Sequence, residues 1–138
     1  MCTNFKVHTF TGPGTFCVSA VGNAGGSNEV SYMVVAGGGE GGSTAPSNGG
    51  GGGAAGGFRE GKSPQDSYTS SPIACTSGSN NGLPVSVQGY PIVVGGGGAQ
   101  QPNPANNVGK SGSHSSFSTI TSDGGGGGKV DSPDGEPA

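Results

Sequence analysis

The chain has 138 residues, of which 33 are glycine and 10 are proline, and its formal net charge is −3. Leu, Ile, Val and Phe make up only about 15% of it, below the roughly 20% at which composition begins to suggest disorder, but the low charge does not fit a disordered chain. No apolar run has the length of a spanning helix or the pattern of a signal peptide, and the five scattered basic residues argue against a nucleic-acid partner.

The N-terminal third is predicted to form strands. Residues 5–10 alternate between two faces, Gly12-Pro13-Gly14 interrupts the alternation, and residues 15–19 resume it, which is the pattern of a β-hairpin. Residues 29–35 end in a continuous apolar run, typical of a strand that is buried on both faces. We expect that strand to be central.

Glycine runs begin at Gly37 and exclude a helix, because each glycine in a helix interior costs about 1 kcal/mol relative to alanine. Flexible coil and packed polyproline II segments remain as alternatives. The runs follow strand-like segments three times, at residues 34–37, 92–95 and 119–124. Close backbone packing at a strand end requires residues without a Cβ atom, so this repetition favours packed segments.

The remaining elements complete an all-β prediction of short antiparallel strands, glycine-rich polyproline II-like or extended packed segments and long polar loops. Residues 59–82 are expected to form a surface loop, and residues 83–87 and 90–94 two short strands with their prolines at starts or edges. We predict one domain over residues 1–128, divided into a strand-rich part (1–36), a glycine-rich and loop part (37–82) and a second strand and glycine-rich part (83–128). Residues 129–138 are expected to be a flexible tail.

No residue pattern indicates catalysis, a cofactor or a metal. Gly109-Lys110-Ser111 lacks the earlier glycine of a phosphate loop, since position 104 is proline. A triad of His114, Asp123 and a serine carries almost no information in so serine-rich a chain. The three cysteines lack metal-ligand spacing, although a Cys2–Cys17 disulfide remains open. We therefore predict no enzyme activity, no cofactor and no metal site.

Two groups of residues are predicted to matter for structure or binding. Arg59 is assigned to the packing of glycine segments, because its guanidinium suits free carbonyl groups, with an acidic or carbohydrate ligand as the alternative. Tyr68 is an aromatic residue in a polar loop, which is a common recognition element as well as an ordinary surface residue. The predicted receptor-binding residues are Tyr68, Gln100, Gln101 and Asn103. The predicted glycine-packing residues are Phe58, Arg59, Gly51, Gly52, Gly53, Gly96, Gly97 and Gly126.

The order of segments resembles the glycine-rich domain of tailed-bacteriophage tail fibres and related virion surface proteins. The resemblance rests on residues 7–16, 30–39, 56–61, 90–95 and 116–128, which follow one another as in that family. Glu40 interrupts the first glycine run, and the loop around residues 64–72 departs from the family pattern. The resemblance implies a non-enzymatic virion structural protein, commonly oligomeric, that is made in the host cytoplasm and acts outside the cell.

Composition and resemblance agree on association between chains. So few large apolar residues struggle to outweigh roughly 1–2 kcal/mol of backbone entropy per ordered residue, so copies are expected to share a core as a homotrimer or a filament. The expected partners are other virion proteins, copies of the chain, and a saccharide or protein of the host surface, without membrane insertion. The alternative function is a self-assembling extracellular filament or matrix protein that has no receptor.

Overall fold

A computed structural model describes residues 5–23, 27–43, 50–74, 82–100 and 108–130. These residues form antiparallel strands and contain no helix, hence none long and apolar enough to span a membrane. The strands described are β1 (Gly14–Cys17), β2 (Glu29–Val30), β3 (Tyr32–Val35), β4 (Phe58–Gly61), β5 (Leu83–Pro84), β6 (Gly89–Val93), β7 (Ser115–Phe117) and β8 (Ile120–Ser122).

The strands form three small sheets that together make a β base. One sheet has four strands in the order β1-β6-β7-β8, and the pairs β2-β5 and β3-β4 form the other two. All strand pairs described are antiparallel; β3 also contacts β7 and β8, and β4 also contacts β8. The all-β prediction is confirmed.

The core of the β base is aromatic and small. Its buried cluster consists of Val34, Tyr90 and Phe117. The Phe117 ring lies edge-on to Phe16, with centroids 5.7 Å apart, and to Tyr32, at 6.2 Å. Edge-to-face pairs of this kind stabilise by about 0.5–1.5 kcal/mol beyond the area they bury. A few large rings thus substitute for the aliphatic residues that the composition lacks.

Beyond the β base, five extended segments lie side by side and form what we call the glycine bundle. Its segments are residues 36–43, 50–57, 94–100, 108–114 and 123–130. Strands β3, β6 and β8 lead into 36–43, 94–100 and 123–130, whereas 50–57 and 108–114 lead back into β4 and β7. All five segments therefore begin or end at the same side of the β base.

Backbone hydrogen bonds hold the glycine bundle together with a three-residue repeat. In segment 36–43 the amides of Ala36, Gly39 and Gly42 donate to segment 50–57 at 2.7–2.9 Å. The amides of Gly37 and Glu40 donate to segment 108–114. Three residues per turn is the repeat of polyproline II, whose backbone groups have no partners within their own segment. At about 3.1 Å per residue, the eight residues of segment 36–43 span roughly 22 Å.

Segment 36–43 is the centre of the bundle. Its carbonyl oxygens at Gly37 and Glu40 accept from Gly125 and Gly128 of segment 123–130, which runs parallel to it. Gly98 of segment 94–100 donates to the Gly38 carbonyl at 2.8 Å. All four other segments thus bond to this one. The bundle continues at its far end through Lys129 and Val130, two residues past the predicted domain boundary.

The predicted N-terminal hairpin is wrong. Residues 5–10 form no strand, and β1 pairs with β6, where Phe16 lies opposite Tyr90. The reason is that β6 places Tyr90 in the core beside Phe16 and Phe117, a long-range aromatic contact that a local hairpin does not offer. The predicted loop 59–82 also begins too early, because β4 extends to Gly61 and pairs with β3.

The prediction that residues 29–35 form a central strand with both faces buried is also wrong. Within the residues described, β3 pairs only with β4. Val34 is buried, whereas its neighbours Met33 and Val35 lie on the opposite face and are exposed. Alternation along a strand sends consecutive side chains to opposite faces, and this chain covers only one of them.

Candidate functional site

The strongest candidate site is the loop of residues 62–74, the Tyr68 loop, which follows β4. Hydrogen bonds attach it to the β base. The Ser31 hydroxyl donates to an Asp66 carboxylate oxygen and accepts from the Ser63 amide at 2.8 Å. The Ser71 amide donates to the buried Glu60 carboxylate at 3.0 Å. The loop is therefore anchored at its beginning and near its end.

Tyr68 lies between these anchors, and 39% of its surface is exposed. The Lys62 ammonium nitrogen lies 5.5 Å from the centre of its ring, within the range of a cation–π contact. Burial raises the pKa of Tyr68 above its usual 10.0, against a hydrogen bond with Ser31 that lowers it, and the nearby Glu60 and Asp66 charges raise it further. The ring is thus partly exposed to solvent, and its surroundings disfavour ionisation of the phenol.

A groove of about 740 Å³ runs from Tyr68 along β3 to the N-terminal segment 5–10. Carboxylates of Glu29, Glu60 and Asp66 contribute to its lining, together with apolar side chains of segment 5–10 and β3. Within the described residues no group of three or more His, Cys, Asp or Glu side chains is placed to hold a metal ion. The groove therefore combines acidic and apolar side chains.

Two of the predicted receptor-binding residues, Tyr68 and Gln100, lie in different parts of the structure. Tyr68 follows β4 on the side of the β base away from the bundle, and Gln100 lies exposed at the far end of segment 94–100. From Gly51 at the far end of the bundle to Gly61 at the end of β4 the extended chain covers roughly 30 Å. Gln101 and Asn103 lie outside the described residues.

The predicted glycine-packing residues divide by the space around them. A Cβ atom at Gly53 would lie 2.2 Å from the Gly39 oxygen, and one at Gly51 would lie 2.8 Å from the Lys129 oxygen. At Gly97 the nearest atom would be 3.5 Å away. Cβ atoms would meet nothing within 4 Å at Gly52, Gly96 and Gly126. Gly96 and Gly126 still contribute their carbonyl oxygens, which accept hydrogen bonds from the amides of Ser113 and Ala54.

Phe58 and Arg59 lie in β4, next to the bundle. The Arg59 side chain is exposed and lines a small cavity of about 270 Å³ with Asp123 and Ile73. Among the described residues its guanidinium donates no hydrogen bond to a glycine carbonyl. The backbone of the bundle supplies those donors itself, as in the bond from Gly57 to Asp123 at 2.7 Å.

Sequence reasoning missed the residues that position Tyr68. The sequence pattern places Ser31 in a strand and Glu60 and Asp66 in a long loop, and it gives none of them a role in positioning Tyr68. The available signal was the two Ser-Pro steps at residues 63–64 and 71–72, since serine before proline is typical of an ordered turn. Ser63 is 2% exposed, which is unusual for a loop serine.

Comparison with families of known proteins finds a match. A family model described as a glycine-rich domain matches residues 11–138, which includes the glycine bundle and all of the β base. No curated protein and no solved structure matches the chain.

Proposed function

This chain belongs to the glycine-rich domain family, and from that premise we propose that it is a virion structural protein, a tail-fibre or surface-fibre module that attaches to a host surface. In this proposal the chain is made in the host cytoplasm and acts outside the cell. It associates with copies of itself, as a trimer or a filament, and with other virion proteins. The proposal draws its virion assignment from the order of the five segments that resemble tail-fibre glycine-rich domains.

The architecture supports a presenting role. A bundle in which neighbouring backbones touch without side chains is stiff for its size, since few rotatable groups separate the segments. The segment ends Ser43, Gly50, Gln100 and Val108 lie at the end of the bundle away from the β base. Loops on a rigid scaffold are the usual location of binding residues.

The observation that carries attachment is the exposed Tyr68 ring on its anchored loop. An aromatic face offers stacking to a sugar ring or a peptide side chain, and it loses little conformational entropy when it binds. The Lys62 ammonium lies over the Tyr68 ring and the Asp66 charge lies nearby, so they offer a donor and an acceptor to a bound ligand. We assign host-surface saccharide or protein as the ligand class of this site.

The first test asks where the protein is located. Antibodies raised against the full chain are applied with gold conjugates to virus particles and to extracellular material from cultures that produce the protein. Label on particle fibres supports the proposal. Label on long filaments without particles overturns it in favour of the self-assembling matrix protein.

The second test asks whether Tyr68 binds. The fluorescently labelled full chain is applied to host cells and to their purified surface polysaccharide. We expect Tyr68→Ala to reduce binding by about tenfold or more, as hot-spot aromatic truncations do. Ile73→Ala is the matched control, because Ile73 is exposed on the same loop. Equal binding by both variants and the wild type removes Tyr68 from the site.

A further inference from the structure

One face of the molecule exposes several large apolar side chains. Met33 is 67% exposed and Val7 83%, and Phe5, Val35 and Val93 are also exposed. All five line the groove beside β3. We call these residues, Phe5, Val7, Met33, Val35 and Val93, the apolar strip. Scattered exposed apolar residues are normal, but a contiguous patch marks an interaction surface.

The strip has the two-residue periodicity of extended chain in both β3, which is paired along one edge only, and segment 5–10. Met33 and Val35 are two residues apart on the outer face of β3, whose only partner strand in the described chain is β4. Phe5 and Val7 are likewise two residues apart, in a segment that alternates like a strand but pairs with none there. Unpaired strand edges and apolar strand faces are stabilised when another chain covers them.

Charges on the two walls of the groove are opposite in sign. Lys6 lies on the wall formed by segment 5–10, whereas Asp66 and Glu29 lie on the β3 side. One carboxylate oxygen of Glu29, Oε2, is buried and has no hydrogen-bond partner among the residues described. A surface with a basic wall and an acidic wall is complementary to a copy of itself.

We propose that a second copy of this chain covers the apolar strip, with segment 5–10 of one copy lying on β3 of the other. Phe5 and Val7 pack against Met33 and Val35 across the contact, and Lys6 faces the acidic wall. The core of three buried residues is thereby extended across two chains. This inference rests on the part of the proposed function in which copies associate, but it needs neither a virion nor a receptor.

The test is the mass of the full chain by light scattering over a concentration series. We expect a multiple of the 13.0 kDa chain mass. Met33→Glu places a charge in the strip and should raise the dissociation constant of self-association by at least about tenfold. Val87→Glu is the matched control, because Val87 is 61% exposed and lies outside the strip, and it should leave the mass unchanged.

Lys6→Glu provides a second variant that does not touch the strip's packing. It places like charges opposite one another, so self-association should weaken. Added salt should then strengthen the self-association of this variant, because it screens the repulsion, whereas it should weaken that of the wild type. Circular dichroism melting curves establish that each variant folds. If Met33→Glu does not fold, Lys6→Glu decides the question.

Two results overturn the inference. One is a wild-type chain that stays monomeric at every concentration, and the other is an oligomer that folded Met33→Glu and Lys6→Glu leave unchanged. Self-association through the strip without label on virus particles supports this inference and counts against the virion assignment. Label on virus particles, with self-association that folded strip variants leave unchanged, supports the virion assignment and overturns this inference.

Discussion

Gly127 lies so close to Gly109 that a Cβ atom at Gly127 would be 1.8 Å from the Gly109 carbonyl oxygen. The adjacent Gly126 has nothing within 4 Å of the same position. Neither glycine has a left-handed φ angle, so the requirement at Gly127 is for space and not for an unusual backbone conformation. In the glycine run of segment 123–130, two of every three residues thus face neighbouring segments, and the third faces outward.

The first prediction concerns this neighbouring pair. Gly127→Ala should lower the free energy of unfolding by about 1–3 kcal/mol or more, because backbone must move apart to admit the methyl group. Gly126→Ala should leave stability unchanged or raise it by about 0.4–1 kcal/mol, since alanine reduces the entropy of the unfolded chain. Urea denaturation of both variants measures the difference. Equal destabilisation by the two substitutions would contradict the packing of segment 123–130.

A second prediction concerns the turn between β7 and β8. Ser118 has φ = 54°, and it is the one non-glycine residue with positive φ in the described chain. The left-handed region costs an L-residue roughly 1–2 kcal/mol, more than the approximately 0.5–1 kcal/mol of entropy that a glycine loses. Ser118→Gly should therefore stabilise the protein by up to about 1 kcal/mol, and it keeps the amide that donates to Pro91. A lower melting temperature for this variant would count against the turn.

The third prediction concerns the connection between β8 and β3. The buried Ser122 hydroxyl donates to the Val34 carbonyl at 2.9 Å. Ser122→Ala should lower stability by about 1–3 kcal/mol, because it removes a buried hydrogen bond and leaves a small void. Ser111→Ala is the control, since Ser111 is exposed in the glycine bundle. If both variants denature at the same urea concentration, the bond contributes nothing measurable.

The fourth prediction concerns the order in which two tyrosines ionise. Hydrogen bonds with Ser86 and Gln88 lower the pKa of Tyr90, whereas burial raises the pKa of Tyr68. The Ser86 amide donates to the Tyr90 oxygen at 2.7 Å and so favours the phenolate. NMR titration with ¹³C-labelled tyrosine should show Tyr90 ionising first, with Tyr→Phe variants giving the assignments. Ionisation of Tyr68 before Tyr90 would place the phenol of Tyr68 in water.

These shifts also set the direction of alkaline stability. Tyr68 has a raised folded-state pKa, so its contribution is complete below pH about 10 and is lost as pH rises through the raised value. Tyr90 has a lowered pKa, so its contribution exists above about pH 10 and is lost as pH falls through the lowered value. The free energy of unfolding of Tyr68→Phe should therefore fall less than that of the wild type as the pH rises above about 10.

Local pattern was sufficient for several elements. The pattern at residues 29–35 predicted a strand, which the structure divides into β2 and β3, and the glycine runs after strand-like segments predicted packed extended chain in place of helix. Both follow from properties of single residues, namely alternation and the absence of a Cβ atom. The attachment of the Tyr68 loop was beyond such reasoning, because Ser31 and Asp66 are 35 positions apart and no local signal joins them.

The sequence by itself determined that the chain is all-β, that its glycine runs exclude helix and that its core must be small, since these follow from composition and spacing. Only the tertiary structure decided which strand Phe16 pairs with, which glycines face a neighbour and which face of β3 is covered. Those choices depend on long-range contacts: Phe16 pairs with β6 because Tyr90 and Phe117 meet there, and Gly127 needs its small size because segment 108–114 runs beside it. The room available to a side chain is set by the backbone packed against it, and in this protein that backbone comes from distant parts of the chain.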